Sequence, residues 1–81
     1  MKITDVNQYD GCFDYNGRII NYNITDNNYP IKEDKLSRYI HFYENGTELG
    51  FKVIYGHVDK MLNITHLDAE EWFEEFLKNV N

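Results

Sequence analysis

Two Asn-Gly dipeptides, Asn16-Gly17 and Asn45-Gly46, constrain this chain more than any other feature. Each lies between stretches that alternate apolar and polar residues. Asn followed by Gly most readily takes the positive φ angles of a two-residue hairpin loop, so two β-hairpins are expected. Loop length fixes register, and the first loop sets Tyr15 against Arg18, Phe13 against Ile20 and Gly11 against Tyr22. One face then holds Phe13, Tyr15, Ile20, Tyr22 and Ile24, while Cys12, Asp14, Ile19, Asn21 and Asn23 face water. The same reasoning at the second loop pairs Glu44 with Thr47, Phe42 with Leu49 and Ile40 with Phe51. Its expected core face is Ile40, Phe42, Leu49, Phe51, Val53 and Tyr55, a period-2 pattern. Tyr39, His41 and Tyr43 then share the other face with Glu48, Gly50, Lys52 and Ile54. That aromatic strip either packs beneath another element or meets a partner.

The last element reads as a helix, because Ala69, Trp72, Phe73, Phe76, Leu77 and Val80 recur at helical spacing. Asp68 is the expected N-cap, with Glu71 three residues on and Leu67 and Trp72 at the positions of a hydrophobic staple. Other segments carry weaker signals. Lys2 to Val6 reads as an edge strand. Pro30 opens either a short helix with Ile31, Lys35 and Leu36 on one side or an irregular loop. Met61 to Thr65 reads as a last strand after a turn at Asp59-Lys60. With 81 residues the chain is expected to form one domain, 1–81. The expected class is α+β: a small antiparallel meander of four to five strands packed against one C-terminal amphipathic helix.

Charge removes several functional classes. Asp and Glu number 14 against 8 Lys and Arg, a net charge of -6. Phosphate backbones and anionic lipid surfaces repel such a protein, so neither direct nucleic-acid binding nor membrane binding is expected. No apolar run approaches the roughly 18 residues of a membrane span. Polar residues break every apolar pair in Met1-Lys2-Ile3-Thr4-Asp5, which makes a cytoplasmic location the expectation. The N-x-T triplets at Asn23, Asn45 and Asn63 are then coincidences of a sequence with ten Asn.

Catalytic chemistry finds little support. His41, His57 and His66 have no metal-ligand spacing, and the lone Cys12 forms neither an internal disulfide nor a cysteine zinc cluster. Ser37 lies in no G-x-S-x-G motif, and no glycine-rich phosphate loop occurs. A non-enzyme without metal or cofactor is expected.

The acids themselves are unevenly placed. Glu70, Glu71, Glu74 and Glu75 fall on the polar side of the predicted helix, as two like-charge i, i+4 pairs that cost a few tenths of a kcal/mol each. Such a ridge suits a basic groove, where carboxylates stand in for phosphates, and aromatic residues such as Tyr39, Tyr43 and Tyr9 could supply desolvated anchors; Glu70, Glu71, Glu74, Glu75, Tyr39, His41 and Tyr43 are the candidate partner-binding residues. In size, acidity, Asn and Tyr content and hairpin-plus-helix plan, the chain resembles the broad class of small acidic phage or mobile-element proteins that inhibit host defence enzymes. Anti-CRISPR proteins and DNA mimics belong to that class. The likeness lies in bulk properties, and no residue is carried over from it.

The expected function is an acidic, non-enzymatic inhibitor that occludes a basic nucleic-acid-binding surface on a host defence nuclease, in the host cytoplasm if phage-encoded. One alternative is a small scaffold module that associates through its sheet, as a homodimer for example. A further alternative is an immunity protein or antitoxin against a nuclease.

Overall fold

Both Asn-Gly pairs form hairpin tips, with φ of 55° and 87° at Asn16 and Gly17 and of 54° and 80° at Asn45 and Gly46. Positive φ at both loop residues matches the right-handed twist of the flanking strands. The computed structural model describes residues 9–26 and 35–79. Strands β1 (Tyr9–Tyr15), β2 (Arg18–Asp26), β3 (Lys35–Glu44) and β4 (Thr47–His57) precede the short helix α1 (Val58–Met61) and the longer helix α2 (His66–Asn79). The strands form one antiparallel sheet in the order β1-β2-β3-β4. The fold is α+β, a four-stranded meander packed against a C-terminal helix.

The first hairpin has the expected register, with Phe13 opposite Ile20 and Gly11 opposite Tyr22. The second departs from it. Glu44 pairs with Thr47 and Tyr43 with Glu48, but the ladder then shifts, so that Phe42 meets Gly50, His41 meets Phe51 and Tyr39 meets Val53. Leu49 is the extra residue of a β-bulge, and a one-residue slip turns every later side chain to the opposite face. Gly50 and Ile54 therefore lie on the helix-covered face with Ile40 and Phe42, while Phe51, Val53 and Tyr55 lie outside. This corrects the core face expected from alternation.

Two other expectations change. Met61 to Thr65 is no strand: Met61 ends α1, and Leu62 and Asn63 turn the backbone by donating to Val58 O and Lys60 O, each at 3.0 Å. Lys35 and Leu36 belong to β3 rather than to a helix. Lys2 to Val6, Pro30 to Ile31 and Val80 lie outside the described residues.

The core lies between the sheet's inner face and the two helices. Phe13, Ile20, Tyr22, Ile24, Ile40, Phe42 and Ile54 contribute from the strands, with Met61, Ile64, Ala69, Phe73 and Phe76 above them. Phe73 is central, with ring centroids of Phe13, Tyr15, Phe42 and Phe76 at 5.6, 5.1, 4.9 and 6.0 Å. Arg38, fully buried on β3, donates from Nη1 to the Met61 carbonyl at 2.8 Å and ties α1 to the sheet.

The N-cap of α2 is Thr65, three residues before the one expected. The Asp68 amide donates to Thr65 Oγ1 at 3.2 Å, and the Thr65 amide donates to Asp68 Oδ2 at 2.9 Å, a reciprocal capping box with Asp68 in the acidic role. Ile64 and Ala69, both buried, take the staple positions, whereas Leu67 is 63% exposed. Lys60 Nζ adds an ion pair to Asp68 Oδ2 at 2.8 Å.

Burial pushes the Asp68 carboxyl up, but donation from Lys60 and Thr65 outweighs it and holds its pKa below the ordinary 3.8. A carboxylate depressed in this way stabilises the fold above its unfolded value, and that stability is lost as pH falls through the folded value. Asp68→Asn is therefore expected to flatten the acid limb of a pH–stability curve measured by urea unfolding. Thr65→Ala should lower stability by about 1 kcal/mol at neutral pH, or about 4–8 °C in melting temperature.

Candidate functional site

The bulge gives the sheet an outer face of unusual character. Phe51, Val53 and Tyr55 on β4 are 55%, 49% and 53% exposed, far above what large apolar side chains retain in a core. Across the ladder stand His41, Tyr39 and Ser37. The Tyr39 ring meets Phe51 edge-on at 5.8 Å, and the His41 ring lies 5.7 Å from Phe51 and 6.2 Å from Tyr39. Half-buried Tyr43 extends the strip toward the hairpin tip. One ring nitrogen of His41 lies 3.1 Å from Glu48 Oε2 and the other 3.4 Å from Thr25 Oγ1, which fixes the orientation of the ring among its neighbours. Ser37, 3% exposed, bounds the patch at the start of β3.

The other half of this face is polar and acidic. Asn21, Asn23 and Thr25 of β2 and Asp10, Cys12 and Asp14 of β1 follow from the registers. Asn23 Nδ2 donates to Asp10 Oδ1, and the Gly17 amide donates to Asp14 Oδ1 at 2.8 Å. The outer face thus combines aromatic side chains on β3 and β4 with carboxylates at its margins, namely Asp10, Asp14 and Glu48. The apolar part occupies one half of the face, out to the β4 edge, and the polar part the other half.

Helix α2 places its glutamates elsewhere. Ala69, Phe73 and Phe76 face the sheet, which leaves Glu71, Glu74 and Glu75 exposed and Glu70 partly covered on the opposite arc. They do not form one uniform ridge. Glu74 accepts from the Tyr15 hydroxyl at 3.5 Å on the β1 side, and Glu75 Oε1 lies 3.3 Å from Lys52 Nζ of β4. Partial burial, then the charges of Glu74 and Glu70 with the Glu74 hydrogen bond, raise the Tyr15 hydroxyl above its ordinary value. Glu75 is partly neutralised, and the remaining excess belongs to Glu70, Glu71 and Glu74.

The two sets of candidate partner-binding residues read from the sequence therefore lie on opposite faces of the sheet. Tyr39, His41 and Tyr43 are together on the outer sheet face. Glu70, Glu71, Glu74 and Glu75 are behind the sheet on α2, with Glu74 and Glu75 reaching back to Tyr15 and Lys52 on the inner face. Phe51, Val53 and Tyr55 join the aromatic set although alternation assigns them to the core. The signal that could have moved them is Gly50, since a glycine inside a strand pattern marks a bulge or a close backbone approach.

Among the described residues no group of three or more His, Cys, Asp or Glu is placed to hold a metal ion. A hollow of about 210 Å³ lies between Tyr15, Glu74, Leu77 and Lys78, beside the helix. Ligand pockets usually hold about 300–1,000 Å³, so it suits a fragment at most. No helix among the described residues is long and apolar enough to cross a membrane. No protein family, curated protein or solved structure matches this sequence.

Proposed function

We propose that this protein is a non-enzymatic binding protein that docks on a basic, nucleic-acid-binding surface of a partner protein through the outer face of its sheet. One observation carries the reading: Phe51, Val53 and Tyr55 stand exposed side by side on β4, with Tyr39 packed against Phe51. Contiguous exposed aromatic groups mark interaction sites, and buried aromatic anchors supply most of the affinity of an interface. The chemistry of the partner follows from charge. The outer-face carboxylates Asp10, Asp14 and Glu48 and the net charge of -6 favour a surface rich in Arg and Lys, and they speed encounter with it. A protein seated there excludes nucleic acid from the same surface. The helix glutamates, on the far side, contribute long-range attraction rather than contact. Inhibition of this kind would take place in the cytoplasm that holds the target.

The test compares affinity capture from a nuclease-rich bacterial lysate by three proteins: the unmodified form, Phe51→Ser with Tyr55→Ser, and Glu70→Lys with Glu74→Lys and Glu75→Lys. The reading expects a basic nucleic-acid-binding protein on the unmodified form, weakened by salt. Loss of two anchors of about 2 kcal/mol or more each should lower affinity about 700-fold or more in the sheet variant. Helix reversal should reduce it far less. Capture lost only with the helix variant would move the contact to α2. A salt-insensitive homodimer, broken by the sheet variant and bringing down no partner, would replace this reading with the scaffold alternative, which the edge of β4, without a further strand among the described residues, favours.

A further inference from the structure

We propose that Asn45 is a site of spontaneous covalent modification, converting to aspartate and isoaspartate through a cyclic imide, and that Asp14 protects the otherwise equivalent Asn16. In this chemistry the backbone nitrogen of the following residue, having lost its proton, attacks the amide carbon of the asparagine side chain. A new carbon–nitrogen bond closes a five-membered imide, and the original carbon–nitrogen bond of the amide group breaks as ammonia leaves with a proton. Water then adds to either carbonyl and opens the ring, leaving aspartate or its isomer, in which the backbone runs through Cγ. Water is the sole co-reactant. Glycine in the following position obstructs closure least because it has no Cβ.

Both hairpin tips offer the same dipeptide in the same conformation. Asn16, Gly17, Asn45 and Gly46 are all exposed with positive φ, and a Cβ at either glycine would meet nothing within 4 Å. Both loops must open locally to close the ring, so that requirement does not separate them. One contact does. The Gly17 amide, whose nitrogen is the nucleophile at Asn16, donates to Asp14 Oδ1 at 2.8 Å. The equivalent position before Asn45 is Tyr43, which has no carboxylate to play that part. Asp14 holds the proton that must leave and sets a negative charge beside a nitrogen that must become anionic, so it opposes the reaction twice.

The product alters the second hairpin specifically. It adds a carboxylate between Glu44 and Glu48, and the isoaspartyl form inserts a backbone carbon into a loop whose length sets the pairing of Tyr43 with Glu48.

The experiment incubates the full-length protein in warm, mildly alkaline buffer and follows both tips by peptide mass spectrometry and isoaspartyl methyltransferase labelling. Asn45 should convert roughly tenfold faster than Asn16, the effect of about one charge-assisted hydrogen bond. In Asp14→Ala, an exposed substitution whose fold is checked by circular dichroism, Asn16 should accelerate to the rate of Asn45 while Asn45 is unchanged. Equal rates at the two tips of the unmodified protein would overturn the proposal, and that comparison needs no variant. So would an Asn16 rate left unmoved by Asp14→Ala.

Discussion

Phe73→Ala is expected to remove about 3–5 kcal/mol of stability, the usual cost of deleting a buried aromatic ring. A native domain has only about 0.05–0.15 kcal/mol per residue, about 4–12 kcal/mol for 81 residues, so this loss is a large share of the total stability and all of it at the low end. The reason is placement. Phe73 is fully buried at the centre of α2, and its ring touches β1 through Phe13 and Tyr15, β3 through Phe42 and its own helix through Phe76. Its removal opens a cavity beneath all three at once, where no neighbour can collapse without breaking its own ring contacts. Trp72, one residue away and only partly buried, provides the comparison. Trp72→Ala should cost clearly less despite deleting more atoms. Urea unfolding followed by circular dichroism checks both, and a Phe73→Ala protein with near-native stability would show that the helix is not clamped by this residue.

Gly50→Val should be nearly as damaging, for a different reason. Gly50 has φ of 150°, a backbone conformation that residues with a Cβ rarely adopt. A Cβ there would stand 2.6 Å from Phe76 Cζ and 2.7 Å from Cε1. Phe76 is itself buried and packed on Phe42 and Phe73, so its ring cannot swing away. Backbone strain and overpacking each cost about 1–3 kcal/mol, and the combined loss should be about 2–6 kcal/mol. The two contributions separate in a double-mutant cycle. Phe76→Leu added to Gly50→Val should recover the steric part, giving a coupling energy of the order of 1 kcal/mol or more, while the strain remains. Additive losses would mean that the strand had moved and the contact was never met.

Much of this fold was legible from local chemistry. Asn16-Gly17 dictated the first register because its ladder runs without a bulge, so loop length alone sets every pair from Tyr15–Arg18 outward, although Ile19 stays exposed on the outer face. The apolar spacing from Ala69 to Leu77 dictated the helix and its buried face. Boundaries were less secure: Thr65 and Asp68 both qualify as caps by composition, and the choice between them rests on which of Ile64 and Leu67 is buried. The second hairpin misled because its odd positions, Leu49, Phe51, Val53 and Tyr55, are the better core face by hydrophobicity. What overrides them is tertiary: the Phe76 ring of α2 needs a strand position without a Cβ, and Gly50 supplies one only if it faces the helix. The aromatic site was therefore half legible. Tyr39, His41 and Tyr43 could be placed on a common face from β3 alone, but their neighbours across the ladder could not.

The bulge at Leu49 has a consequence for the folding landscape. Strand β4 can be read in two frames, and the protein folds in the one that leaves its more apolar side in water. The competing frame, one residue out of step, hides Phe51, Val53 and Tyr55 and is favoured by local sequence. Native proteins are seldom at odds with themselves in this way except where something other than stability was selected. The hairpin is thus a locally frustrated element, held in its native frame by contacts with the helix side: the close approach of Phe76 to Gly50, the burial of Ile54 and the Lys52–Glu75 ion pair. Any weakening of those contacts would invite the sheet to bury its own exposed aromatic face, so that binding through that face could disappear while the protein stayed folded.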